Sequence, residues 1–90
     1  MTTATHVEPR IKTVSVTDAE ITVGLADGRT VSVPLAWSWR LSEATPKQRS
    51  HFEIIGDGQG VHWPDVDEDL SAQGMLTGVP ARDRPRRNKA

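Results

Sequence analysis

His62, Asp65, Asp67, Glu68 and Asp69 place one imidazole and four carboxylates within eight residues of Val61-His62-Trp63-Pro64-Asp65-Val66-Asp67-Glu68-Asp69-Leu70. Three chemistries use such a set: proton transfer, cation binding and the capping of a helix. A general base needs a nucleophile or substrate group beside it. The chain has no cysteine, and no serine stands in the strand–turn–helix context that exposes a nucleophile. A calcium loop starting at Asp65 would need glycine at its sixth position and a bidentate glutamate at its twelfth. Those positions hold Leu70 and Leu76. Capping remains: carboxylates placed just after an apolar strand and a proline satisfy the open N–H groups and the positive dipole end of a helix. The segment predicts a strand that buries Trp63 and a helix starting at Asp65, with Glu68 three residues on, or at Asp67. Asp67, Glu68 and Asp69 would then face water or a basic partner.

Other chemistry-bearing residues are more scattered. His6 and His51 form no metal-ligand spacing with another histidine, and no metal or cofactor is expected. Gly56-Asp57-Gly58-Gln59-Gly60 lacks the lysine of a phosphate loop and precedes an apolar run, so it predicts a turn. Trp37 and Trp39 share a parity; one belongs to the core and the other, with Trp39 the candidate, to a partner-binding patch. Arg82, Arg84, Arg86, Arg87 and Lys89 cluster near the C-terminus against Asp83 alone. Such a run can bind nucleic-acid phosphates without reading sequence. The remainder of the chain is acidic and would repel the same phosphates.

The elements that position these residues follow from periodicity. Ile11–Val16, Ile21–Leu25 and Val31–Val33 are short, rich in β-branched residues and separated by turn-prone Thr17-Asp18-Ala19 and Ala26-Asp27-Gly28. A two-residue Asp27-Gly28 loop would set the apolar residues of the second and third strands on opposite faces. A three-residue loop pairs Val23 with Val31 and Ile21 with Val33, and requires left-handed Gly28. Leu35, Trp37, Trp39 and Leu41 suit either an extended exit or a helical turn. Thr45-Pro46-Lys47-Gln48 is a capping box with proline at the first helical position, starting a short helix from Pro46 to about Phe52. Phe52–Ile55 and Val61–Trp63 read as strand segments, and the last helix stops at Gly78. The expectation is a small single α+β domain, an antiparallel sheet of about four strands with two short helices in the order β-β-β-α-β-α. It would occupy residues 11–80, between a flexible lead-in at 1–10 and a basic disordered tail at 81–90.

Leu25-Ala26-Asp27-Gly28-Arg29, Val33-Pro34-Leu35, Leu41-Ser42-Glu43-Ala44-Thr45, Gln48-Arg49 and Gly60 through Leu70 together resemble the domain-of-unknown-function family numbered 2442. The resemblance covers residues 11 to 78 and implies a small α+β domain. It implies no catalytic residue. Some members look fused to a helix-turn-helix domain and others stand beside a small partner in arrangements like toxin–antitoxin pairs; with twelve residues after Gly78, no such fusion is expected within these 90 residues.

Ninety residues suffice for one core only. The absence of cysteine and of a signal-like or membrane-spanning apolar run favours a cytoplasmic setting. Net charge is −1, but residues 81–90 carry five basic side chains against one acid, so the excess of carboxylates lies upstream. The expected function is therefore a non-enzymatic protein-binding module, antitoxin-like or regulatory in a two-protein system. The alternatives are a small-ligand or enzymatic site using His62 and the Asp65–Asp69 acids, and nucleic-acid binding through the tail.

Overall fold

The computed structural model describes residues 9–78. The remainder of the expected N-terminal lead-in and the basic tail lie outside the described residues. Among the described residues six strands form two three-stranded antiparallel sheets, ordered β1-β2-β3 and β4-β5-β6, where sequence periodicity predicts one sheet of about four strands.

The first sheet comprises β1 (Ile11–Val16), β2 (Glu20–Leu25) and β3 (Thr30–Pro34). Val23 pairs with Val31 and Ile21 with Val33, the register of the three-residue loop. The amide of Gly28 donates to Leu25 O at 2.9 Å and that of Leu25 to Arg29 O at 2.8 Å, with Gly28 at φ 97°. Arg29 Nε donates to Asp27 Oδ2 at 2.9 Å; this bond holds the Asp27 carboxyl below the usual range.

β1 solves a parity problem. Val14 and Val16 lie opposite Val23 and Ile21, so strict alternation would turn Lys12 inward and Ile11 outward. A bulge between Ile11 and Thr13 inserts one residue and pairs Ile11 with Leu25, which buries Ile11.

Segment 35–52 connects the sheets. Leu35–Trp37 forms a 3-10 turn, α1 is Trp39–Ser42 and α2 is Pro46–Arg49. The helical reading of the tryptophan segment is thus the correct one. Around α2 the capping box is complete: Gln48 N donates to Thr45 Oγ1 at 3.1 Å and Thr45 N to Gln48 Oε1 at 2.9 Å. α2 ends at Arg49, short of Phe52, which packs half-buried against the core with its ring 6.2 Å from that of Trp63.

The second sheet comprises β4 (Glu53–Ile55), β5 (Gly60–Trp63) and β6 (Glu68–Ser71), followed by α3 (Ala72–Thr77). A 3-10 turn at Gly56–Gly58 joins β4 to β5, with Asp57 left-handed at φ 59°. α3 is capped by Ser71, whose Oγ accepts from Gly74 N at 2.8 Å, and ends at left-handed Gly78. The acids thus cap no helix: Pro64–Asp67 is the turn between β5 and β6, and Glu68 and Asp69 are strand residues. α3 packs on β3 and β6, and a single core runs through Ile21, Val23, Leu41, Val61, Trp63 and Met75.

A side chain at Gly28 would meet nothing within 4 Å, so substitutions there report backbone conformation alone. We expect Gly28→Val to destabilise the fold by about 1–2 kcal/mol and Gly28→Asn to cost far less, because asparagine tolerates the left-handed region. Urea unfolding of the two variants measures this.

Candidate functional site

Pairing in the second sheet divides its side chains between two faces. Trp63 lies opposite Glu68 and Val61 opposite Leu70, while Glu53, His62 and Asp69 form a transverse row. The first set points inward. The second set, with Ile55, Gly60 and Ser71, makes the outer face.

Inward-facing Glu68 is only 5% exposed, which corrects its expected accessibility. Ser38 Oγ, itself buried, donates to Glu68 Oε2 at 2.5 Å. Asp69 N donates to Oε1 at 3.0 Å, and Arg40 Nη1 stands 3.9 Å from the same oxygen. A carboxylate can remain inside only when its oxygens are supplied this way. Ser38 Oγ also accepts from Leu41 N at 3.1 Å and so caps α1. Arg40 Nη1 further donates to Asp67 O at 2.9 Å, with Asp67 left-handed at φ 54°. Arg40, Asp67, Glu68 and Asp69 line a polar cleft of about 210 Å³.

One further bond binds the linker to the second sheet, and a second braces the linker itself. Trp63, fully buried as expected, donates Nε1 to Arg49 O at 3.0 Å. Arg49 Nε donates to Leu41 O at 2.9 Å. Trp39 is half-buried, with the Arg40 guanidinium carbon 5.2 Å from its ring centroid.

On the outer face, His62 Nδ1 lies 2.7 Å from Asp69 Oδ1. This bond raises the His62 pKa above its ordinary value against the opposing effect of desolvation; the charges of Asp69, Glu53 and Asp67 add to the rise. Asp65 instead meets His51 Nδ1 at 2.8 Å. Each of the two described imidazoles therefore holds one carboxylate, and of the acids Asp65–Asp69 only Asp69 comes within hydrogen-bond distance of His62. No group of three potential metal ligands occurs among the described residues. Beside the dyad, Ile55, Gly56, Gln59, Gly60, Asp69, Leu70 and Ser71 line an open depression of about 440 Å³. A Cβ on Gly60 would crowd Leu70 O at 3.0 Å and meet the Ile55 side chain.

Charge is segregated onto this sheet. Residues 50–78 contain Glu53, Asp57, Asp65, Asp67, Glu68 and Asp69 and no lysine or arginine. Arg10 reaches across to Asp57 at 2.7 Å. Sequence reading singled out Asp67, Asp69 and His62, but missed Glu53 and Ile55, which join the face only through β4–β5 pairing. It also missed Ser38, whose serine-before-helix position is a legible cap signal.

Residues 11–81 match the family described as "Protein of unknown function (DUF2442)". The chain belongs to this family. A crystal structure of a protein of unknown function from Rhodospirillum rubrum is similar, with 32% identity over 84% of this chain and 94% of that one, at a TM-score of 0.72. The solution NMR structure of an uncharacterized protein from Chromobacterium violaceum is 27% identical over 81% of this chain and 69% of that one, at a TM-score of 0.69. No curated protein matches. None of the described helices is long and apolar enough to cross a membrane.

Two outcomes follow for this DUF2442 chain. Ser38→Ala removes a cap and the donor to a buried carboxylate together, so it should cost about 2–3 kcal/mol where loss of a cap alone costs about 1. A double-mutant cycle with Glu68→Gln in urea unfolding separates the two contributions. For His62, a raised folded pKa means stability present in full below its unfolded value near 6.5 and lost as pH rises through the folded value. Asp69→Asn should therefore destabilise more at pH 5–6 than at pH 8, measured by thermal unfolding, and should lower the His62 pKa read by NMR.

Proposed function

We propose that the chain is a non-enzymatic protein-binding module that presents the acidic outer face of its second sheet to a basic protein, as the antitoxin-like or regulatory member of a two-protein system. The observation that carries this reading is the segregation of charge: residues 50–78 hold six carboxylates and no lysine or arginine, and all of the six but the inside Glu68 are exposed. Glu53, Asp67 and Asp69 are exposed around His62. Ile55, 40% exposed, adds apolar surface beside them, and Ile54, equally exposed, stands on the opposite face of the same edge strand. Charge of one sign speeds encounter with a complementary partner and rejects like-charged ones. Exposed aliphatic surface supplies contact once the partner has arrived. A cytoplasmic setting belongs to the same proposal.

Affinity capture with cross-linking on the full chain tests this. The expected result is a basic protein cross-linked to residues of the second sheet, released as salt shortens the screening length from about 10 Å at 0.1 M. A variant with Glu53→Gln, Asp67→Asn and Asp69→Asn should capture roughly tenfold less, whereas Asp18→Asn with Glu20→Gln in the first sheet should capture normally. Equal capture by both variants would remove the acidic face from the function. Tight duplex-DNA binding that disappears with residues 82–90 would transfer the function to the tail.

A further inference from the structure

The two sheets offer four strand edges, and three are obstructed. β1 carries its bulge beside Lys12, a device that disfavours pairing with another chain. β3 ends at Pro34, which has no amide to offer an incoming strand, and α3 packs against it. β6 has Ser38 bound to Glu68 and Arg40 bound to Asp67 O along its side. β4 differs: its three residues are all exposed, and its far side makes no backbone hydrogen bond to any described residue outside the sheet.

The faces of β4 specify what such an edge accepts. Glu53 and Ile55 belong to the outer face, in line with His62 and Gly60 respectively, and Ile54 to the inner face, in line with Val61. An added antiparallel strand therefore places a residue opposite Ile55 at the rim of the depression over Gly60, the next opposite Ile54, and the third opposite Glu53. Cross-strand pairing favours aliphatic residues at the first two positions and lysine or arginine at the third. A second copy of this chain meets the opposite situation: self-pairing through β4 sets Glu53 against Ile55 and brings together two sheets that both lack lysine and arginine over residues 50–78. Like charge opposes that pairing and favours a basic partner.

Resting on the protein-binding reading above, we propose that the partner is engaged by strand addition: an extended segment with an aliphatic-aliphatic-basic pattern pairs with β4. Main-chain bonds along the edge would supply affinity, and the outer-face pair with Glu53 would supply selectivity.

The probe is the heptapeptide Ac-Lys-Thr-Val-Val-Arg-Thr-Lys-NH2, titrated into the full-length chain and followed by amide NMR shifts and cross-strand NOEs. Expected are shifts centred on Ile54 and Ile55, NOEs from the peptide backbone to β4, and a Kd on the order of 0.1–1 mM that rises with salt. Replacing the second valine by proline, or the basic residues by glutamate, should abolish binding. Glu53→Lys should weaken it about tenfold; unchanged amide dispersion elsewhere confirms that this exposed position leaves the fold intact. Shifts located away from β4, or equal binding of the glutamate peptide, would overturn the proposal. A natural partner captured as readily by Ile54→Lys as by the parent chain would overturn strand addition while leaving the protein-binding reading standing. Peptide binding at β4 without a captured partner would support the edge and count against the wider reading.

Discussion

The bond between the Ser38 hydroxyl and the Glu68 carboxylate is the constraint on which the arrangement of this domain depends. A charge withdrawn from water costs several kcal/mol unless donors replace its hydration. Here a hydroxyl and a backbone amide bond the carboxylate, with a guanidinium at the margin. The same hydroxyl accepts from Leu41 N, so it donates and accepts at once, and each bond polarises the other. Ser38 belongs to the linker and Glu68 to the second sheet. Satisfying that carboxylate therefore fixes α1 against β6, and Arg40 and Arg49 extend the attachment to the Asp67 turn and, through Trp63, to β5.

This constraint also decides what the surface presents. With Glu68 inside, opposite Trp63, the hairpin register is set; a slip by one residue would turn Asp69 inward and expose Glu68 and Leu70. The inside position of Glu68 thus puts Asp69 outside, opposite His62, and His62 opposite Glu53. The outer row is a consequence of an inner one. Folding and the proposed recognition are divided between alternate residues of the same strands, and the acidity of the outer face persists because the only carboxylate taken inside among the described residues has its own donors.

Local signals account for what was legible in the sequence. The Ala26-Asp27-Gly28 loop, the Thr45–Gln48 capping box, burial of Trp63 and the stop at Gly78 each depend on neighbouring residues, and each is present. β6 was hidden because aspartate and glutamate are depleted from strands and favoured at helix starts. Its period of two, with Glu68, Leu70 and Ala72 buried against exposed Asp69 and Ser71, was there to be read. What made Glu68 an inside residue is a serine thirty positions away, which no window around the acids contains. Missing β6 as a strand also merged two sheets into one. The bulge that rescues Ile11 is of the same kind, since its partner Leu25 lies across the sheet.

His62 sits where the demands of stability and recognition oppose each other. Glu53 faces it from β4, Asp69 from β6 and Asp67 from the turn, and protonation of the ring relieves the mutual repulsion of these carboxylates. The folded state therefore gains from a charged His62. A basic partner gains from a neutral one, because an imidazolium in the centre of the row cancels part of the field that attracts it. Acidification through the raised pKa of His62 should then stabilise the free domain while weakening the proposed complex. A partner that placed its basic residue opposite Glu53 would in turn lower the His62 pKa, because like charges disfavour one another and linkage is reciprocal. The central position of His62 makes its own titration a measure of whether that edge is occupied.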